Sequence, residues 1–306
     1  MSPPRIGLIG LGNMGGRIAR RIVESGASVV GYDTDPGRVA TAGAQPAESV
    51  AELVRNTDYV LLSLPDSSIV DAVVLGEHGI LPSCRSGQIV VDLSTASPGS
   101  TIASQAKLAE RGVEFVDAGI SGGAAAAEKG TLTIMAGGSA EVVERIRWLF
   151  EPFASKVVYM GASGTGHTTK LLNNFLNAVS LAATSEVMIA GRKAGIDLDT
   201  LLEVLNSSSG VNFATLNRFP HIAHGDYLEG GLTSALMMKD VLLYVDRARE
   251  LGVPCLNASG PMASFGLAAQ LGYADEISNR VVDAIGDVSG GVRLHEGETQ
   301  PKGGQS

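Results

Sequence analysis

Residues 5–25 read RIGLIGLGNMGGRIARRIVES, and this run restricts the fold more than any other stretch of the chain. A short apolar segment ends at Gly10, glycines recur at 12 and 15, and an amphipathic segment follows at once. In a strand–turn–helix unit these glycines have separate tasks. Gly10 permits a tight turn, Gly12 lets a pyrophosphate approach the backbone, and Gly15 lets helix and strand pack closely, with phosphate at the helix N-terminus. Asn13 and Met14 are then expected beside the phosphates or nicotinamide. Glycine-rich turns are common, so the spacing needs support from elsewhere. It comes from SVVGYD, which ends at Asp33, eighteen residues after Gly15. An acid there accepts hydrogen bonds from both hydroxyls of an adenosine ribose and repels a 2′-phosphate. Asp33 therefore favours NAD over NADP, although Arg38 is close enough in sequence to reach the ribose.

The first half continues the pattern. Apolar runs at 5–10, 28–33, 58–64, 88–93, 113–118, 131–136 and 156–160 alternate with helix-length segments. This predicts a parallel sheet covered on both faces. After Pro152 there is no proline until Pro220, and apolar residues adopt helical spacing. One helix is expected over about 164–194, roughly 45 Å long at the usual rise. Others are expected at 198–207, 234–250, 261–270 and 276–287. The expected fold is α/β, an N-terminal Rossmann dinucleotide-binding domain (1–162) followed by an all-helical C-terminal domain (163–292). Residues 293–306, with almost no apolar content, are expected to be a flexible tail.

Composition narrows the partners. A net charge of −9 argues against nucleic acid and acidic membrane surfaces, both of which usually demand a basic face. No run is long and apolar enough to span a membrane, and MSPPRIGLIG lacks a signal-peptide pattern, so a cytoplasmic location is expected. Cys84 and Cys255 lie outside any metal-ligand spacing and read as free thiols. No metal is expected. His221 and His224 share a helical spacing but have no evident third ligand. Trp148 reads as a packing residue.

Two stretches carry candidate chemistry. In DAGISGGAAAAEK (117–129), Ser121, Gly122 and Gly123 follow a strand, where open α/β sheets bind ligands. Adjacent glycine N–H groups and the serine hydroxyl can hold a carboxylate, or the stretch is a plain turn into a helix. In SGTGHTTKLLNN (163–174), Lys170 is either a solvated helix lysine or a proton-handling group. Asn174 follows four residues later on the same face. A lysine desolvated beside NAD⁺ would have its pKa lowered toward neutrality, suiting it to take a proton from an alcohol.

Four blocks in order, GLIGLGNMG, DAGISGG with GTLTIMAGG, GTGHTTKLLNN and LMMKD, resemble the β-hydroxyacid dehydrogenase family over roughly residues 5–290. The family includes 3-hydroxyisobutyrate dehydrogenases, tartronate semialdehyde reductases and 6-phosphogluconate dehydrogenases. The resemblance implies that Lys170 is the catalytic lysine and that Asn174 positions it and the substrate hydroxyl. It makes Ser121, Gly122 and Gly123 the grip on the substrate carboxylate. It places Leu64, Pro65 and Thr95 beside the cofactor and has Lys239 reach back to the cofactor cleft. Where the family often has D-A-P-V-S-G-G, this chain has Gly119-Ile120, so a more mobile loop entry is expected. His167 is similar to the phosphogluconate branch, but Asn173 stands where that branch has histidine. The double asparagine resembles the hydroxyisobutyrate branch, and Lys170 argues against imine reductases.

The resulting expectation is an NAD-dependent oxidoreductase interconverting a small 3-hydroxyacid and its aldehyde or ketone. The alternatives are a semialdehyde reductase using NADPH or NADH, and a non-catalytic NAD-binding regulatory protein. The partner is a small hydroxycarboxylate. Arg218 falls in the expected helical domain and could meet a second acidic group of such a substrate. The long helix cannot bury both faces alone, so a homodimer or homotetramer is expected.

Overall fold

The computed structural model describes residues 4–295, which fall into two compact units divided between Leu172 and Asn173. The first holds one eight-stranded sheet, β1 (Ile6–Ile9), β2 (Val29–Tyr32), β3 (Gln45–Pro46), β4 (Tyr59–Leu62), β5 (Ile89–Asp92), β6 (Glu114–Ser121), β7 (Leu132–Gly137) and β8 (Ala154–Gly161). Their order is β3-β2-β1-β4-β5-β6-β7-β8. Between β2 and β4 the order reverses about β1, the switch point where such sheets open a ligand crevice at their carboxyl ends. Side chains alternate across the sheet. Ile6 and Leu8 join one apolar layer with Ile18 and Ile22 of the helix Gly15–Glu24, whereas Ile9 joins the other with Leu53. A Cβ on Gly7 would stand 2.4 Å from Leu53 Cδ2, so the helix Val50–Asn56 lies directly on the strand.

The expected all-parallel sheet is corrected at one pairing. β6 and β7 are antiparallel, with Gly119 opposite Met135 and Ser121 opposite Thr133. Only residues 122–131 join them, including the helix Gly123–Lys129, which is too short to carry the chain back for a parallel partner. The two-residue β3 has no apolar run, and its pattern carries no strand signal.

The long helix runs Thr165–Lys193 and contributes to both units along its own length. In the second unit Phe175, Ala178, Leu181, Met188 and Ile189 enter a core with Met237, Val241, Phe265 and Val281. Phe175 stacks on Tyr244 with ring centroids 3.7 Å apart. The helices Leu198–Asn206, Ser234–Glu250 and Ser259–Gln270 match the apolar periodicity closely. The last expected helix begins later, at Val281, after a 3₁₀ turn at Ser278–Arg280.

Within the expected tail, 296–306 lie outside the described residues, but its first residues are packed. Leu294 is buried, Arg293 pairs with Asp287 and Asp283, and the His295 ring meets the Tyr227 hydroxyl. Charge pairing holds this segment where apolar content did not forecast it.

Candidate active site

The glycine-rich turn leaves β1 at its carboxyl end. Gly10 has φ 88°, and a Cβ there would stand 2.3 Å from the Ser63 carbonyl oxygen. A Cβ on Gly15 would stand 1.9 Å from the Gly10 carbonyl oxygen, so both glycines are required by the protein's own packing. Gly12 is different. A Cβ there would meet only Arg38 Nη1, at 3.8 Å, so that face of the backbone is open. Met14 caps the following helix without a side-chain hydrogen bond, and no acid stands in its first turn. Asp33, at the end of β2, accepts from Leu11 N–H at 2.6 Å and from Asp35 N–H at 2.9 Å. Arg38 Nη1 lies 3.7 Å from Asp33. A cavity of about 400 Å³ beside Gly12 and Asn13 is lined also by Arg17, Arg20, Asp35 and Arg38. An open glycine, an uncapped helix start and a carboxylate at the second strand's end fit a nicotinamide dinucleotide.

Leu64 N–H donates to Ser94 Oγ at 2.9 Å, tying the Leu64-Pro65 turn to the Ser94-Thr95 segment. Ser94 N–H donates in turn to Asp92, which is buried at the end of β5. Burial pushes the Asp92 carboxyl above the usual carboxylate range, against the opposing pull of His167 and Ser94.

Ser121 ends β6, and Gly122 and Gly123 follow with φ 126° and 69°. Both glycines are needed for this backbone, yet a Cβ on Gly123 would meet nothing within 4 Å. Lys170 belongs to the same unit. A Cβ on Gly119 would come 2.7 Å from Lys170 Cβ, so the lysine's helix rests on the strand that leads to Ser121. One turn earlier, Gly166 approaches the carbonyl oxygens of Asp117 and Met135 so closely that a Cβ would be 2.4 Å from each. Asp117 closes the helix start, accepting from Gly164 N–H at 2.8 Å and His167 N–H at 2.9 Å. His167 is fully buried, with Nδ1 2.7 Å from Thr101 Oγ1 and Nε2 3.3 Å from the Asp92 carbonyl oxygen.

The second unit holds the other candidates. Asn174 donates from Nδ2 to Asp240 Oδ2 at 2.5 Å, and Lys239 Nζ lies 3.1 Å from Asp240 Oδ1. Asp240 thus brings together Asn174 and Lys239, two residues that sequence reading chose separately. Asp240 itself was missed, as were Asp92, Thr101 and Asp117. Asp240 and Asp117 stood inside recognised blocks, and an acid there could have been noticed; Thr101 carried no signal. His221 pairs with Asp226 and His224 with Asp199, and no group of three metal-binding side chains occurs among the described residues.

Comparison with known proteins decides the family. Residues 5–161 match the NAD binding domain of 6-phosphogluconate dehydrogenase, and residues 164–285 match the NAD-binding domain of NADP-dependent 3-hydroxyisobutyrate dehydrogenase. The chain belongs to the β-hydroxyacid dehydrogenase family. It is an NAD(P)-dependent oxidoreductase. Among its β-hydroxyacid dehydrogenase relatives, 2-(hydroxymethyl)glutarate dehydrogenase of Eubacterium barkeri is 35% identical over 82% of this chain and 84% of its own. L-threonate dehydrogenase of Cupriavidus necator is 34% identical over 90% and 94%. The solved 3-hydroxyisobutyrate dehydrogenase of Mycobacterium tuberculosis with L-serine superposes with a TM-score of 0.83 at 27% identity, covering 92% and 99%. No helix among the described residues is long and apolar enough to cross a membrane.

Proposed function

We propose that this dehydrogenase interconverts a small 3-hydroxyacid and its aldehyde or ketone, in the manner of 3-hydroxyisobutyrate dehydrogenase, with NAD as the preferred cofactor. The observation that carries the reading is the seat of Lys170 on Gly119, in the strand that ends at Ser121-Gly122-Gly123. On this reading residues 1–162 hold the cofactor, with Gly10, Gly12, Asn13, Met14, Gly15, Asp33, Leu64, Pro65 and Thr95 around it. Bound nicotinamide supplies the acceptor or donor of hydride. Ser121 Oγ and the N–H groups of Gly122 and Gly123 grip the substrate carboxylate. Lys170 Nζ takes the hydroxyl proton in oxidation and returns it in reduction. Asn174, its amide oriented by Asp240, orients the hydroxyl, while Lys239 balances the Asp240 charge. Cytoplasmic residence and assembly into at least a homodimer belong to the same proposal. The half-exposed Leu172 and more exposed Leu176 on the long helix support the assembly.

The relatives named for 3-hydroxyisobutyrate, L-threonate, L-serine and 2-(hydroxymethyl)glutarate supply the substrate panel. Lys170→Ala is expected to lower kcat at least about a thousandfold on the best of these, within the range for general acid–base groups. Fluorescence titration should show NADH affinity unchanged. Full turnover in the variant would remove Lys170 from the proton transfer. The arginines lining the cavity beside Gly12 favour a second reading, a semialdehyde reductase that accepts NADPH. The ratio of kcat/KM for NADPH and NADH in the reductive direction separates the two.

A further inference from the structure

Arg218 stands apart from the other arginines packed in the second unit. Arg280 and Arg293, with side chains 20% and 11% exposed, each meet more than one carboxylate, and Arg247 meets Glu250. Arg218 is part-buried and has no carboxylate partner among the described residues. Its Nη1 donates to Asn279 Oδ1 at 2.5 Å and its Nη2 to Asn177 Oδ1 at 3.0 Å. The guanidinium carbon lies 5.8 Å from the centre of the Phe213 ring. Burial alone pushes the guanidinium down to about 10.

Withdrawing a cation from water is costly, and two neutral amide oxygens return only part of that cost. They do fix the plane of the fork. Asn279 is itself held, donating to the Tyr227 carbonyl oxygen at 2.8 Å. Two of the five guanidinium N–H groups are used, and the rest are oriented in advance for an acceptor that binds through two oxygens. The location follows from the long helix. Asn177 lies three residues beyond Asn174, one helical turn away on the same side. Arg218 is therefore held a single turn from the amide assigned to the substrate hydroxyl.

We propose that Arg218 docks a second carboxylate of the substrate, so that hydroxy-dicarboxylates with acids a few carbons apart are preferred over their monocarboxylate counterparts. This rests on the hydroxyacid reading above. The fork would take the distal carboxylate in two parallel N–H···O bonds, one helical turn from the Asn174 amide.

The matched pair for the test is 2-(hydroxymethyl)glutarate and 2-(hydroxymethyl)pentanoate, which differ at the distal carboxylate. With NAD⁺, the wild-type enzyme is expected to favour the dicarboxylate at least about tenfold in kcat/KM, as a charge-assisted hydrogen-bonded pair supplies. The preference should lie mainly in KM, vanish in Arg218→Met and persist in part in Arg218→Lys. Equal treatment by the wild type, or an equal loss on both compounds in Arg218→Met, overturns the proposal. Should Arg218→Met fail to fold, competition by glutarate and pentanoate against 3-hydroxyisobutyrate in the wild type decides it. Stronger inhibition by glutarate supports the site, and equal inhibition overturns it. If size exclusion shows Arg218→Met to be dissociated and the wild type discriminates neither pair, the cation serves a second copy of the chain and the proposal falls. Turnover of monocarboxylates alone sinks only the Arg218 site; turnover of no hydroxyacid sinks the underlying reading as well.

Discussion

Two helices begin within the first unit at similar-looking glycines, GLGNMGG and GTGH, and their N-termini are treated in opposite ways. At Gly15–Glu24 the start has neither a side-chain cap nor a first-turn acid, and the face of Gly12 is open. At Thr165–Lys193 the start is closed by the buried carboxylate of Asp117. A helix N-terminus attracts negative charge in either case. One leaves the anion to be brought by a ligand, while the other builds it in and holds the helix that carries Lys170. Glycine spacing does not distinguish them; the location of the nearest carboxylate does.

Substitutions at the two helix starts should have opposite signatures. Gly12→Ala adds a methyl where the protein has room, so the melting temperature should hold while the KM for NAD rises about a hundredfold through loss of close approach. A large drop in melting temperature with unchanged KM would show that the open turn is structural. Asp117→Asn places an amide N–H against N–H donors at the other helix start. Denaturant unfolding should show a loss of about 2 kcal/mol, because the charge-assisted bonds go and a buried donor is opposed. Unchanged unfolding would mean that the closed start does not hold the helix.

The smallest effect concerns Asp92, whose carboxyl is pushed up chiefly by burial. An acid with a raised pKa in the folded state contributes stability that is present below its unfolded pKa. That contribution is lost as pH rises through the folded value. Relative to Asp92→Asn, the wild type should lose melting temperature as pH climbs out of the ordinary carboxylate range. A pH-independent difference between the two proteins would remove Asp92 as a titrating contributor.

Periodicity displayed most of the scaffold. Apart from the two-residue β3, the strands through β6, the long helix and Ser234–Glu250 stand where apolar spacing put them, because each buries a face along its own length. The reversal of β7 was not legible, since the length of the 122–131 connection, rather than any residue pattern, decides its direction. The glycine turn and Lys170 could be chosen from local motifs. What Asp240 does for Asn174, or Asp117 for the long helix, depends on chain segments tens of residues away.

The contact between Gly119 and Lys170 bears on attempts to transplant parts between relatives. Proline, common in the family at the position of Gly119, carries the very Cβ for which this chain has 2.7 Å of space. Loop and helix have thus been fitted as a matched set. Importing a relative's serine loop without its lysine helix would force the helix outward, and borrowing the helix alone would leave a gap beneath it. Engineering of specificity here has to exchange the two segments together.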